Sequence, residues 1–248
     1  MFYIMDDAII SKVISKDTIT RLLRDVRTLM KTPLIDNGIY YVHDDTDVLK
    51  GYAMIVGPKD TPYFGGYYFF SLDYPTDYPH TPPKVTYYTN GDNIRFNPNL
   101  YKCGKVCISL LNTWRGEQWT SCQTISSVLL TLCTLLCKDP LLNEPGINKG
   151  HKDFDVYSRI IEYKNIEIAY LHMINKDERV FSSQFDVFYS FMKEHFQTNL
   201  DAIEAILEKY KNKNMPAEKV ATGIYSITTI LDYTKLYSYF LETKTKLT

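Results

Sequence analysis

Strand-like patterns are confined to one stretch of this chain, between residues 39 and 89, and helical patterns lie on both sides of it. Within that stretch, Asp, Gly and Pro clusters separate short segments rich in Tyr, Val, Ile and Phe, at residues 39–42, 49–56, 67–72 and 85–89. Short strands joined by such turns predict a four-stranded antiparallel meander. Because the helices precede and follow the strands instead of alternating with them, the sequence indicates an α+β fold.

Two amphipathic helices flank the predicted sheet. The first covers residues 17–31, ends at Thr32-Pro33, and has an apolar face made of Ile19, Leu22, Leu23, Val26 and Met30. The second covers residues 123–137, with a broad apolar surface made of Ile125, Val128, Leu129, Leu132, Leu135 and Leu136. Between them, the four prolines of residues 74–84 predict a stiff connection outside the sheet. Residues 90–119 show no regular period, and an ordered loop of this length is uncommon unless it is functional.

The pattern changes after residue 146, where strand patterns vanish and helical stripes follow to the end. The stripes comprise Phe185, Phe188, Tyr189, Met192 and Phe196, then Leu200, Ile203, Leu207 and Tyr210, then Val220, Ile224, Ile227 and Leu231. Residues 153–175 also predict a helix, although Lys164 interrupts its apolar face, and residues 211–216 predict a connector. We therefore predict a first domain over residues 1–150 and a helical extension over residues 151–248. The aromatic stripes are expected to pack on the first domain or on each other, with partner binding as the alternative.

Composition excludes several classes of function. A formal net charge of -1 gives no support to a nucleic-acid binder. The N-terminal sequence MFYIMDDAIISK lacks the positive charge and the apolar run of a secretory signal, and no run of about 20 apolar residues offers a membrane span. The five cysteines do not predict a disulfide framework, so the expected compartment is reducing, either cytosol or nucleus.

One motif carries chemistry. Residues 95–111, RFNPNLYKCGKVCISLL, place Cys107 eight positions after Asn99, the last residue of an Asn-Pro-Asn turn. The motif resembles the active site of ubiquitin-conjugating enzymes. The resemblance extends upstream through PYFGGYYFFSLDYPTDYPHTPPKV (residues 62–85) and downstream through QWTSCQTISSVLLTLCTLLCKDPLLNEPG (residues 118–146). It covers roughly the first 150 residues and implies the family's fold: an N-terminal helix, a four-stranded meander, a catalytic loop and a following helix.

The resemblance implies that Cys107 is the nucleophile, since a thiolate can attack one thioester and later leave when an amine arrives. The alternative is a buried structural cysteine. Asn99 then either hydrogen-bonds the oxyanion or holds the loop through backbone groups, and both roles can hold together. Asn97 stands where the family usually has the histidine of His-Pro-Asn. Together with the insert containing Thr113-Trp114 and the helical extension, this substitution resembles a distinct large subgroup of conjugating enzymes.

A conjugating enzyme must also desolvate or deprotonate the incoming lysine, whose ammonium is a poor nucleophile. The family often uses an acidic residue after the second helix, which makes Glu144 or Asn143 the candidate here; a surface carboxylate without a task is the alternative. Cys103, four residues before Cys107, suggests a metal or redox pair only weakly, because no second Cys or His pair stands at zinc-site spacing. Among the leucines of the second helix, Cys133 and Cys137 are expected to pack in the core.

The family's partner surfaces fall on three segments. Arg21 and Arg24, on the polar face of the first helix, are candidates for contact with the activating enzyme and the ligase, against an ordinary solvated basic face. Two loops extend this surface, one with His80 and one with Trp119 and Ser121. Both loops depart from the pattern of many ligase-binding members, which argues against a generic RING partner.

The leading hypothesis is therefore an active conjugating enzyme. It would accept ubiquitin or a ubiquitin-like protein on Cys107 from an activating enzyme and pass it to a lysine of a protein substrate, usually with a ligase. The resemblance implies no metal or organic cofactor, since the upstream activating enzyme uses the ATP. Two alternatives remain: a non-catalytic ubiquitin-binding variant of the same fold, and a scaffold whose helical extension carries the function.

Overall fold

The computed structural model describes residues 14–211 and 216–247. The expectation that no secretory signal is present concerns residues 1–12, outside these ranges. The helices are α1 Lys16–Lys31, α2 Ile125–Leu135, α3 Phe154–Lys164, a π-helical continuation Asn165–His172, α4 Tyr189–Lys211 and α5 Tyr233–Leu247. The strands are β1 Ile39–His43, β2 Lys50–Val56, β3 Tyr67–Asp73, β4 Lys84–Tyr87, β5 Glu218–Ala221 and β6 Thr228–Leu231. In the described ranges no helix is long and apolar enough to span a membrane.

The predicted meander is confirmed. Strands β1 to β4 form one antiparallel sheet in sequence order, with Met54 opposite both Tyr40 and Phe69. Both faces of the central strands are covered, so six of the seven residues of β3 are buried. Their aromatic side chains therefore form the centre of the molecule and not a half-exposed sheet surface.

Local sequence explains where the two predicted helices begin. Ser15 starts α1, because its hydroxyl oxygen accepts the backbone N–H of Thr18 at 3.0 Å. A reciprocal pair of bonds between Thr124 and Ser127 starts α2. Leu22, Val26 and Leu29 of α1 are buried, whereas Met30, predicted on the apolar face, is exposed. The face is rotated because the α1 contact also buries Thr18 and Asp25, which the apolar pattern did not include.

The C-terminal extension covers the second face of the sheet. Phe185 stacks on Phe69 of β3 at a ring-centroid distance of 4.7 Å, and Tyr170 stacks between Tyr67 and Phe196 at 5.8 and 5.2 Å. One continuous apolar core thus includes residues on both sides of position 150. The aromatic stripes pack on the first domain, which was one of the two expectations. The boundary at residue 150 itself stays a prediction.

Lys164, the residue that interrupts the apolar face of α3, is buried with its charge paired. Its ammonium lies 2.8 Å from a carboxylate oxygen of Asp92 and 2.5 Å from one of Glu167. Burial alone would lower the pKa of Lys164, but the two carboxylates outweigh it and the pKa is raised. A charge is tolerated here because it is paired.

The prediction of helix throughout the extension was wrong for its third stripe. Residues 218–221 and 228–231 form an antiparallel hairpin, with Val220 opposite Thr229 and Glu218 opposite Leu231. The second stripe belongs to one helix, α4, together with the last three residues of the first stripe. Phe185 and Phe188 of the first stripe lie in the 3-10 turn Ser183–Phe188 that precedes this helix. Of the connector predicted at residues 211–216, residues 212–215 lie outside the described ranges.

Candidate active site

The Asn-Pro-Asn turn is held from below by Asn97, which is fully buried. Its amide nitrogen donates to the Tyr63 hydroxyl at 2.9 Å and to the Leu135 carbonyl oxygen at 2.7 Å. Its amide oxygen accepts the backbone N–H of Asn99 at 2.9 Å. Tyr63 in turn donates to the Phe96 carbonyl oxygen at 2.7 Å. The residue that replaces the family's usual histidine therefore ties the turn to the end of α2, so the support of the loop is present in another chemical form.

Asn99 and Cys107 exchange two hydrogen bonds across the loop. The backbone N–H of Cys107 donates to the Asn99 carbonyl oxygen at 2.9 Å, and the Asn99 side-chain amide donates to the Cys107 carbonyl oxygen at 2.7 Å. These bonds fix the backbone of the cysteine at the position predicted for the nucleophile. The contact matches the loop-holding role that the sequence left open for Asn99.

The Cys107 thiol is nearly buried, with 3% of the residue exposed. Its Sγ lies 2.9 Å from the carbonyl oxygen of Thr113. The Thr113 hydroxyl accepts the Ile108 N–H at 2.9 Å and lies 3.0 Å from the Val106 carbonyl oxygen. Thr113, part of the insert, thus closes the loop over the cysteine.

The two acid-base candidates occupy different places. Asn143 joins the network below the loop, since its amide nitrogen lies 3.2 Å from the Leu135 carbonyl oxygen and 3.5 Å from Oδ1 of Asn97. Glu144 is half-buried and borders an open cleft that Thr113 and Arg115 also line. Of the two side chains, Glu144 is the one that lines this cleft, and Thr113 of the same cleft contacts the Cys107 sulfur.

The other four cysteines are free thiols. Cys103 and Cys122 are exposed. Cys133 and Cys137 are half-buried, and Cys133 packs against the core. Desolvation raises the pKa of both half-buried thiols. Within residues 14–211 and 216–247, no three His, Cys, Asp or Glu side chains cluster as metal ligands.

Two of the predicted partner residues hold the loops together. Arg21 donates to Asp25 at 3.0 Å and to the carbonyl oxygens of Ser121 and Gln123, both at 2.6 Å. The Trp119 ring N–H donates to the Pro79 carbonyl oxygen at 2.7 Å, and Trp119 is buried. These contacts join α1 to the two loops of the predicted ligase surface.

The remaining partner candidates face outward. Arg24, His80 and Ser121 are exposed, and the His80 ring lies 3.4 Å from the Ser121 hydroxyl. The structure therefore brings His80 and Ser121 together on one surface, and Arg21 supports that surface through the Ser121 carbonyl oxygen.

Sequence analysis missed two residues next to the catalytic loop. The Arg95 guanidinium lies between the rings of Tyr101 and Tyr225, 3.8 and 4.2 Å from their centroids, and donates to the Pro98 carbonyl oxygen. The Tyr225 hydroxyl donates to the Glu144 carboxylate. Arg95 stood in the motif, but no local signal marks Tyr225, which is 81 residues from its partner.

Residues 21–161, which include the catalytic loop, are similar to known proteins. The family model "Ubiquitin-conjugating enzyme" matches residues 21–161, more than half of the chain. "Ubiquitin-conjugating enzyme E2 Z" of Xenopus tropicalis is 40% identical over 163 residues, 64% of this chain and 51% of that protein. The Homo sapiens protein of the same name is 41% identical over 157 residues, 62% of this chain and 44% of that protein.

A viral relative aligns over more of this chain. "Probable ubiquitin-conjugating enzyme E2 R521" of Acanthamoeba polyphaga mimivirus is 30% identical over 215 residues, 81% of this chain and 14% of that protein. This chain spans about half the length of the two E2 Z proteins. The fold, the framed cysteine and these matches agree, and the chain belongs to the ubiquitin-conjugating enzyme family.

Proposed function

We propose that this chain carries ubiquitin or a ubiquitin-like protein as a thioester on Cys107 and transfers it to a lysine of a protein substrate. The observation that carries the proposal is the pair of hydrogen bonds between Asn99 and Cys107, within the segment that matches the family. Such bonds keep the reacting backbone fixed while the side chain changes its covalent partner.

The reaction consists of two acyl transfers. In the first, the Cys107 thiol loses its proton, its sulfur attacks the thioester carbonyl on the activating enzyme, and that enzyme's cysteine leaves as a thiolate. In the second, a lysine amine attacks the new thioester, an isopeptide bond forms, and the Cys107 sulfur leaves as a thiolate. The 3% exposure of Cys107 means that its thiol must turn away from the Thr113 carbonyl oxygen before loading.

Two side chains assist transfer in this proposal. The amide nitrogen of Asn99 carries two protons, and the Cys107 carbonyl oxygen accepts one of them, so the second can meet the oxyanion of the attacked thioester. Glu144 borders the cleft where a lysine would enter and accepts the ammonium proton. We assign Asn143 to loop support, because its bonds run to Leu135 and Asn97.

Family membership implies contact with ubiquitin, an activating enzyme and a ligase in general. We propose that Arg24, His80 and Ser121 belong to the surface that meets the last two, since all three are exposed. Arg21 and Trp119 would support that surface from within. We also propose a reducing compartment, cytosol or nucleus, because transfer needs a free Cys107 thiol.

A charging assay tests the proposal. Purified protein is incubated with ATP, labelled ubiquitin and a panel of activating enzymes, then run on gels with and without thiol. We expect a thiol-sensitive adduct on the wild type, a thiol-resistant adduct on Cys107→Ser and Cys107→Lys, and none on Cys107→Ala. Cys103→Ser is the matched control and should charge as the wild type does, because Cys103 is exposed and lies outside the Asn99 contact.

The panel is repeated with ubiquitin-like proteins, so that the choice of modifier is separated from the chemistry. An adduct with one of them only would identify the modifier and support the proposal. No adduct with any modifier, from folded protein, would contradict it and favour the non-catalytic variant.

A further inference from the structure

The tip of the β5–β6 hairpin is fastened to the rest of the protein. The backbone N–H of Ile224 donates to the buried Asp153 carboxylate at 2.9 Å. The Thr222 hydroxyl donates to the Ile224 carbonyl oxygen at 2.8 Å. Tyr225, which follows, has a φ of 59°, in a left-handed region that large side chains seldom occupy. Its position is therefore set by contacts and not by backbone preference.

The Tyr225 ring reaches the catalytic loop from one side. It covers the Arg95 guanidinium, whose other face lies on Tyr101, and Arg95 donates to the Pro98 carbonyl oxygen inside the Asn-Pro-Asn turn. Tyr157 of α3 supports the same arrangement, because its hydroxyl donates to the Arg95 carbonyl oxygen at 2.7 Å and its ring lies edge-on to Tyr225. Through Tyr157 and Tyr225, the extension thus stabilises the turn that ends at Asn99.

The Tyr225 hydroxyl makes a second contact at this site, where it donates to the Glu144 carboxylate. Glu144 shares an open cleft with Thr113, whose carbonyl oxygen lies 2.9 Å from the Cys107 sulfur. One side chain of the extension therefore touches both Arg95, which bonds the turn that ends at Asn99, and the Glu144 carboxylate, which lines a cleft together with Thr113.

We propose that Tyr225 is a positioning residue for transfer to lysine, which holds the Glu144 carboxylate in the cleft beside Cys107 and keeps Arg95 against the catalytic loop. This inference rests on the proposed function. Through this contact the extension takes part in the conjugation step itself. The Tyr225 phenol keeps its proton under assay conditions, since burial and the neighbouring Glu144 raise its pKa.

The test separates transfer from loading and from stability. Thioester is formed on wild type, Tyr225→Phe and Tyr225→Ala, and its single-turnover discharge to free lysine is measured at about pH 7 and about pH 9.5. Tyr225→Phe keeps the ring on Arg95 but loses the bond to Glu144. Tyr237→Phe is the matched control, because it removes a tyrosine hydroxyl that bonds Glu204 and Glu208 of α4 instead.

We expect Tyr225→Phe to load within about twofold of the wild type but to discharge about tenfold more slowly at pH 7. The difference in discharge rate between Tyr225→Phe and the wild type should be smaller near pH 9.5, because more of the lysine is already neutral there and needs the carboxylate less. The titratable and charged groups facing this contact are Glu144, Arg95, Tyr101 and, across the cleft, Arg115. Tyr225→Ala should discharge more slowly than Tyr225→Phe.

In a Glu144→Gln background, Tyr225→Phe should slow discharge at pH 7 by less than about twofold, because the group that it positions is gone. An equal deficit at both pH values, or full additivity with Glu144→Gln, would show that Tyr225 only supports the fold and would overturn the inference. Normal discharge of a normally loaded Tyr225→Phe would also overturn it, while leaving the proposed function intact. Absence of any thioester on the wild type would instead remove the proposed function.

Discussion

The side chain of Asn165, at the start of the π-helical segment, occupies the space in which a Cβ atom of Gly66 would lie. A Cβ on Gly66 would be 2.0 Å from the Asn165 amide oxygen. That oxygen accepts the Tyr68 hydroxyl at 2.7 Å, and the Asn165 amide nitrogen donates to the Phe64 carbonyl oxygen at 2.8 Å. Because Gly66 has no side chain, it leaves the space in which Asn165 of the extension packs against the segment before β3.

Gly66→Ala should lower the free energy of unfolding by about 1–3 kcal/mol, because the added methyl group must displace Asn165. Urea unfolding measures the loss. Combined with Asn165→Ala, the loss should be smaller than the sum of the single losses by about 0.5–3 kcal/mol. Gly150→Ala, in an exposed turn, is the matched control and should change little. Strict additivity of Gly66→Ala and Asn165→Ala would contradict the packing of the Asn165 side chain against Gly66.

Removal of the Asn97 side chain should destabilise the protein by roughly 2–4 kcal/mol, since it leaves the Tyr63 hydroxyl, the Leu135 carbonyl and the Asn99 N–H without their buried partner. Thermal and urea unfolding of Asn97→Ala provide the measurement. Tyr63→Phe removes two bonds of the same network, those to Asn97 and Phe96, and should cost less than Asn97→Ala, which removes three. If Asn97→Ala were as stable as the wild type, the network would not be what supports the turn.

Arg21 and Arg24, one turn apart on α1, are expected to matter for different properties: Arg21 for stability and Arg24 for loading. Arg21→Ala should cost about 1–3 kcal/mol of stability, because two loop carbonyl oxygens lose this donor and Asp25 keeps only the bond from Tyr78. Arg24→Ala should change stability by less than about 0.5 kcal/mol, since Arg24 is exposed, and should instead slow loading by the activating enzyme. Unfolding and initial charging rates separate the two effects. A stable Arg21→Ala with impaired loading would reverse the assignment.

The Lys164–Asp92 pair makes a small, pH-dependent contribution to stability. The hydrogen bond from Lys164 lowers the pKa of Asp92 below its ordinary value of 3.8. A carboxyl pKa that is lower in the folded state stabilises the protein above pH 3.8, and this contribution is lost as the pH falls through the folded-state pKa. The Asp92 side chain is 57% exposed, so Asp92→Asn should cost less than about 1 kcal/mol near neutral pH.

The difference in the free energy of unfolding between Asp92→Asn and the wild type should become smaller as the pH falls below about 4. Urea unfolding across this range, with Asp45→Asn in an exposed turn as the control, gives the comparison. A gap that widens on acidification would mean that the folded-state pKa of Asp92 is raised and not lowered.

The sequence predicted the sheet and the first two helices because their signals are local. Every strand of the meander is rich in aromatic or β-branched residues, and Asp, Gly and Pro clusters separate the strands. The β5–β6 hairpin gave no such signal. Each of its four-residue strands buries one side chain, Val220 in β5 and Leu231 in β6, so no alternation could show. Their spacing with Ile224 and Ile227 fits a helical period equally well.

The part of the site whose residues lie close together in the sequence was predictable. Cys107 and Asn99 lie eight residues apart and do meet in the folded loop. The division between Glu144 and Asn143 was not predictable, because it depends on which side chain turns toward α2 and which toward the cleft. The role of Arg21 depends on carbonyl groups about 100 residues away, which no local pattern encodes.

The most direct test of the central claim is intact-protein mass spectrometry of the charged enzyme, followed by peptide mapping without reductant. We predict a mass increase equal to one modifier less one water, removed by thiol, with the modifier's C-terminal residues on the peptide that contains Cys107. In Cys107→Lys the same increase should survive thiol and map to residue 107. A modifier found on Cys103 or on another residue, with Cys107 free, would contradict the account.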